Sequence, residues 1–322
     1  MELAEVAQQL FFIIGCPRSG TTLFQSMLAS HPDVILPAET GFYLLLYAEY
    51  YSQWGELSTP ENFEKAIETS LNFYRIKDLN LDSNIIRAKC QNKSRSWETI
   101  FLAILATYAE KYHVPRIGEK SPRHYECLGI LKERFPQAKF IHIIRDPRAV
   151  VLSLMKAPFG SDRIGNSCNI WQEAIDVHRQ YADELGSERY RVVKYEDLVF
   201  QPEEILKQIC SFLNLEFSSQ MLQFDRRKVL GFNQRYSEHM SNTLKPIFTS
   251  SIDKWQNELN YSQIAIIQTV LAEEMQLLNY QPIDAYTVLP LVRYKIDVLA
   301  ESLGHKVRKV NQVIRKVVDS KR

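Results

Sequence analysis

Short apolar runs set the rhythm of this chain. Residues 10–14, 139–144 and 190–194 are dominated by Phe, Ile, Val and Tyr, and residues 33–36 and 116–119 are briefer versions of the same pattern. Runs this short, without polar alternation, predict strands buried on both faces. Between them the apolar positions fall at helical spacing: Leu23, Met27 and Leu28 after the first run, Ile100, Ile104, Leu105 and Tyr108 within 96–112, and Ile170, Ala174, Val177, Tyr181 and Leu185 further on. Helices are also predicted over 42–54 (rich in aromatics), 61–74, 125–135, 147–156, 202–213 and 262–278, with Pro136 as a stop and Pro147 as a start. Residues 80–94, 157–167 and 232–251 show no period and read as irregular. Strand–helix alternation predicts an α/β fold, with a central parallel sheet flanked by helices and extended by helical insertions.

Residues 1–288 read as one domain and 289–322 as a basic amphipathic helix. After Gly304 come seven Lys or Arg against one Asp, with Val307, Val310, Ile314 and Val317 on one face. The reading is a solvated helix packed on its own domain, with contact to a membrane surface as the alternative.

Composition narrows the picture. The 322 residues are 45% hydrophobic and 24% charged, enough for a sizeable core, and the net charge of +1 gives no field for nucleic acid, so an anion site must be local. The apolar run at 42–48 is too short to span a bilayer, and the first nine residues are too acidic and polar for a secretory leader. Five scattered cysteines, with no C-x-x-C pair, indicate neither a zinc site nor a disulfide frame, and no metal is expected. The expected location is the cytoplasm. Cys16 falls at a helix N-terminus, which favours a thiolate, but it reads as a small buried filler.

The first run leads into Gly15-Cys16-Pro17-Arg18-Ser19-Gly20-Thr21-Thr22 and then a helix. Strand, glycine-containing turn and helix is the layout that cradles a phosphate, because turn amides and the positive helix end face the anion. The spacing approaches G-x-x-x-x-G-K-[ST], with Thr21 in place of the lysine that reaches the outer phosphates of a nucleoside triphosphate. Arg18 supplies a cation inside the loop instead, and a guanidinium suits an oxyanion with several oxygens. Two further strand ends carry polar clusters, 145–153 and 195–197, and ligands of parallel sheets bind beyond the carboxyl ends of the strands.

With these residues in view, the chain resembles the sulfotransferases that use 3′-phosphoadenosine 5′-phosphosulfate (PAPS). Pro17-Arg18-Ser19-Gly20-Thr21-Thr22 resembles the family's loop for the 5′-phosphosulfate, and Arg145-Asp146-Pro147-Arg148 with Ser153 resembles its 3′-phosphate site. The likeness covers most of residues 10–260 and is nearest the tyrosylprotein sulfotransferase branch and its bacterial relatives. Pro37-Ala38-Glu39-Thr40 resembles the segment with that branch's catalytic glutamate, and Glu119-Lys120-Ser121-Pro122 its catalytic lysine segment. Tyr195-Glu196-Asp197-Leu198 resembles a cofactor-contacting segment, and Lys245-Pro246 with Lys254-Trp255 a late cofactor-binding stretch. The chain departs from the pattern at Ala157, where a basic residue is expected and Lys156 stands beside it, and Ser237 and Ser241 compete for the serine before Lys245.

The resemblance implies transfer of a sulfuryl group from PAPS to an acceptor hydroxyl on a glycan, lipid, small metabolite or tyrosine. It makes Glu39 the general base and Arg18 and Lys120 the cations at the leaving oxygen and transferring group, while Pro17, Arg18, Ser19, Gly20, Thr21, Thr22, Arg145, Ser153, Tyr195, Ser241 and Lys254 hold the cofactor. His124 is the second choice for the base; His142 reads as a strand-core residue. Bland readings stand beside these: Glu39 as a helix N-terminal carboxylate, Lys120 as a surface lysine paired with Glu119, Arg145-Asp146 as a local ion pair, and Arg148 as a partner for Asp146 or Glu196. The rival functions are a small-molecule kinase, which wants the missing lysine and magnesium, and a non-catalytic nucleotide-binding module.

Overall fold

The computed structural model describes residues 1–157, 163–226 and 249–284. Two compact units divide the chain, one of Met1–Arg145 and Glu173–Ile252, the other of Asp146–Gln172 and the chain from Asp253 on.

The first unit holds the whole sheet. All five predicted strands are present: β1 (Phe11–Ile14), β2 (Val34–Ile35), β3 (Arg116–Lys120), β4 (Lys139–Ile144) and β5 (Tyr190–Lys194). They lie in the order β2-β3-β1-β4-β5, with every neighbouring pair parallel. All five carboxyl ends therefore point to one edge. Ile13 is in register with Lys120, Ile14 with His142, and Ile144 with Lys194. The first unit's helices among the described residues are α1 (Leu3–Gln9), α2 (Thr21–Leu28), α3 (Ala48–Trp54), α4 (Pro60–Asn72), α5 (Tyr74–Lys77), α6 (Ser83–Cys90), α7 (Trp97–Lys111), α8 (Leu128–Arg134), α11 (Tyr195–Phe200) and α12 (Pro202–Phe212), while α9 (Pro147–Met155) belongs to the second unit with the helices Lys254–Glu258, Tyr261–Val270 and Ala272–Leu277, and α10 (Ile164–Arg189) has residues in both.

β1 shows why its sequence is uninterruptedly apolar. Phe11 and Ile13 join a core with Phe24, Met27 and Leu28 of α2 and Leu206, Ile209 and Phe212 of α12. Phe12 points the other way and stacks on Phe101 of α7 at 6.3 Å and on Phe140 of β4 at 5.4 Å. Alternate residues feed opposite faces, and both faces are covered.

Several expectations need correction. Residues 80–94, read as irregular, contain α6: the Asp82 carboxylate accepts from the Asn84 amide, and Ile86 and Cys90, one turn apart, are buried. Two apolar anchors among polar neighbours are too few to show a period. The helix read over 42–54 opens as a wide π-type turn, Phe42–Tyr47, before α3 begins. That turn seats Phe42, Tyr43, Leu46 and Tyr47 inward, with Phe42 and Tyr43 on the Phe101 ring at 5.1 and 5.3 Å. The helix read from Tyr125 starts as a 3-10 segment, Pro122–Cys127, and α10 begins at Ile164 inside a stretch read as loop. Residues 158–162 and the predicted helix of 289–322 lie outside the described residues.

In the second unit, the Asp146 carboxylate caps the Arg148 amide and grips its guanidinium at 3.0 and 2.6 Å. That guanidinium lies 4.0 Å over the Trp255 ring and donates to Gln268 Oε1 and the Gln281 carbonyl. Asp146 is thus a partner of Arg148, as one reading of the sequence had it.

Candidate active site at the strand ends

Everything here follows from parallel strands ending together. The loop after β1 is pinned beside the loop after β3: the Gly15 amide donates to the Pro122 carbonyl at 3.0 Å. Gly20 has φ +94°, and a Cβ there would fall 2.2 Å from the Tyr195 ring. Only glycine lets the loop lie against Tyr195, which opens α11 just after β5. Gly20 also caps α2 without a side-chain oxygen, so the first amides of α2 receive no side-chain cap. Ser19 Oγ is fully enclosed and makes no hydrogen bond among the described residues. Thr21 is buried and Thr22 half-buried in the first turn.

Cations gather at the same place. Arg18 adopts φ +75°. Burial, then the charge of Arg145, pushes its guanidinium below its ordinary value. Arg145, directly after β4, donates to the Arg18 carbonyl at 3.4 Å and the Ser251 carbonyl at 2.6 Å, and its guanidinium lies 4.2 Å over the Tyr195 ring. Tyr195 Oη and Ser251 Oγ are 2.9 Å apart. Loop, Arg145 and Tyr195 form one cluster across the ends of β1, β4 and β5. The charges of Arg18 and Arg145, which act on each other, and the uncapped amides that follow Gly20 make a cradle whose electrostatics favour an anion.

On the other side of β1, Lys120 ends β3 and its Nζ donates to Glu39 Oε1 at 2.6 Å. Lys120 is buried, whereas the Glu39 side chain is 37% exposed. Glu39 makes no cap to the following helix, so the helix-terminus reading of it gives way to an ion pair. Lys120 is likewise not a surface partner of Glu119. Glu119 points to the opposite face of β3, fully buried, and accepts from Thr40 Oγ1 at 2.8 Å, the Thr40 amide at 3.2 Å and Ser121 Oγ at 2.7 Å. His124 Nδ1 lies 2.9 Å from Glu119 Oε2, at ion-pair distance though outside hydrogen-bond alignment. His124 is fully buried, packed edge-on to Phe12, and does not reach the strand-end surface.

The family model described as Sulfotransferase family matches residues 11–219. The chain belongs to the sulfotransferase family. Its relatives include the protein-tyrosine sulfotransferase of Drosophila melanogaster, 26% identical over 281 residues that cover 85% of this chain and 52% of that protein. Protein-tyrosine sulfotransferase 1 of Homo sapiens is 27% identical over 284 residues, covering 85% of this chain and 70% of that protein. The chain thus spans about half of the Drosophila relative it matches. Among solved structures, the sulfotransferase domain of the Synechococcus PCC 7002 olefin synthase is similar with a TM-score of 0.57 and 25% identity, over 84% of this chain and 95% of that one. The sulfotransferase domain from the curacin biosynthetic pathway shares the fold with a TM-score of 0.60 and 23% identity, over 85% and 98% of the two chains. The likeness to the tyrosylprotein branch and to bacterial sulfotransferases is therefore shown.

The remaining predicted residues fall in several places. Pro17 is half-buried in the loop. Ser153, half-buried on α9, and Lys254, exposed and 3.2 Å from Glu258, belong to the second unit. Ser241 lies outside the described residues. Cys16 is buried, and burial with the charge of Glu173 drives its thiol pKa upward, so the helix end does not activate it. Sequence reasoning missed Ser251 and Arg75: Arg75 Nη1 donates to the Glu39 carbonyl at 3.1 Å and lies 3.5 Å from its carboxylate. Neither sits in a spaced motif. Among the described residues no helix is long and apolar enough to cross a membrane.

Proposed function

We propose that this sulfotransferase-family chain moves the sulfuryl group of PAPS to an acceptor hydroxyl by in-line displacement. One observation carries the reading: Glu39, Lys120, the β1 loop, Arg145 and Tyr195 stand in that order along one edge, each after its own strand of a single parallel sheet. At about 4.8 Å between strands, the β2 and β4 ends are roughly 14 Å apart, which leaves the base at one end of the row and the nucleotide's anionic groups at the neighbouring β1 and β4 ends.

In this reading the β1 loop receives the 5′-phosphosulfate through its amides, Ser19, Thr21 and Thr22, with Pro17 fixing the turn. Arg145 and Tyr195 bind the 3′-phosphate end. The acceptor oxygen attacks sulfur, its proton passes to Glu39, and the bond from sulfur to the phosphate oxygen breaks as adenosine 3′,5′-bisphosphate leaves. Lys120, released from Glu39, and Arg18 meet the charge that grows on that oxygen, where a preorganised cation stabilises the transition state more than the ground state. The acceptor class stays open among glycans, lipids, small metabolites and tyrosine; the tyrosine-sulfating relatives favour a phenol. The kinase reading is disfavoured by Thr21 in the place of the lysine.

The test has two arms. Calorimetry is expected to detect adenosine 3′,5′-bisphosphate without magnesium and no ATP; ATP binding that needs magnesium overturns the donor assignment. Radiolabelled PAPS incubated with protein and a cell extract is expected to give a labelled product, identified by mass.

A further inference from the structure

We propose that Arg75 is a positioning residue that holds Glu39 in its catalytic placement while Lys120 turns to the transferring group. The inference rests on the assignment of Glu39 as the base.

Glu39 stands on a short connection between β2 and the wide turn at Phe42, with no helix around it to fix its backbone. Two cations reach it. Lys120 takes one carboxylate oxygen at 2.6 Å, and Arg75, from α5, takes the backbone carbonyl at 3.1 Å and approaches the second oxygen at 3.5 Å. The two grips differ in kind. Lys120 holds only the carboxylate, and its ammonium is a point charge on a flexible stem, free to exchange partners. Arg75 holds main chain and side chain together through one nitrogen, Nη1, which reaches both the Glu39 carbonyl and its carboxylate, so it keeps Glu39 in place when the Lys120 contact is surrendered.

Arg75 is itself fixed. Its Nε donates to Tyr74 Oη at 2.9 Å and its guanidinium lies 5.6 Å from the Tyr74 ring. Gly41, with φ +58°, clears the space above it: a Cβ there would lie 3.4 Å from Arg75 Cδ and 3.1 Å from Leu45 Cδ1. Glu119, the acidic neighbour of Lys120, is turned to Thr40, Ser121 and His124 instead of to Glu39. A base that must meet an acceptor oxygen within hydrogen-bond reach loses about 100-fold for a misplacement near 1 Å.

The test is a double-mutant cycle read as label transferred from PAPS in the cell-extract assay, with calorimetric binding of adenosine 3′,5′-bisphosphate as the control. Arg75→Ala is expected to lower kcat about 10- to 100-fold with the donor KM and product affinity unchanged. Arg75→Lys is expected to recover only part of the loss, and added guanidinium to restore part of the activity of Arg75→Ala. The double variant Glu39→Gln with Arg75→Ala should be no slower than Glu39→Gln alone, because a residue acting through Glu39 has nothing left to position. Multiplying losses, or full activity in Arg75→Ala, overturn the role of Arg75 and leave the base assignment standing; full activity in Glu39→Gln removes the base assignment itself. A crystal structure of Arg75→Ala gives a readout independent of turnover: an unmoved Glu39 also overturns the inference.

Discussion

Two carboxylates with close nitrogen partners straddle the end of β3, and they are opposites. Glu119 and Lys120 are neighbours, so the strand sends them to opposite faces. Glu119 is sealed with His124, Thr40 and Ser121 in a pocket that water does not reach. Lys120 meets Glu39 at the strand tip, where the carboxylate is partly open to solvent. A sealed pair has no exchange partner, so it anchors the segment carrying Thr40 to β3. An open pair can trade partners when substrate arrives, so it is suited to chemistry. The difference comes from the face of the strand each residue takes.

The largest expected effect falls on the open pair: Glu39→Ala should lower kcat by about 10²–10⁴-fold with little change in melting temperature. Steady-state kinetics beside calorimetric unfolding check this, and an unchanged rate breaks the comparison. The sealed pair should respond in the opposite currency. His124→Phe takes the imidazole away from the buried Glu119 carboxylate and should cost about 1–3 kcal/mol of stability, with kcat of the folded fraction kept. Denaturant titration reads the first, and a collapse of kcat in folded protein makes His124 the base instead. Lys120→Met should lower the rate by roughly 10²–10³-fold, less than the upper range for Glu39, because Arg18 still faces the leaving oxygen.

The smallest effect is on acid stability. Burial pushes the Glu119 carboxyl up, but His124, Ser121 and Thr40 outweigh it and hold it below the ordinary 4.5. The folded state therefore binds its proton later than the unfolded chain. The stabilisation from Glu119 is complete above pH 4.5 and is lost as pH falls through the lower folded value. Melting temperature against pH should show this limb in the native protein and a flatter one in Glu119→Gln; an equally steep limb in the variant removes Glu119 from the account.

Much of this was legible beforehand. The five strands announce themselves as short apolar runs because each is covered on both faces, and the lysine-less turn after β1 reads as an anion cradle because its glycines and hydroxyls sit at fixed offsets within eight residues. The α6 helix escaped because only Ile86 and Cys90 anchor it, and the wide turn at Phe42 escaped because an added residue per turn leaves no mark in a run of aromatics.

Sequence by itself determined the α/β class, the strands and the residue types at each strand end, since those depend on local period and near-neighbour spacing. Only the tertiary structure decided which ends are neighbours, that Glu119 turns inward while Lys120 meets Glu39, and that Arg75, 36 residues from Glu39, grips it. Strand order and side-chain pairing are set by long-range packing, which no local pattern encodes.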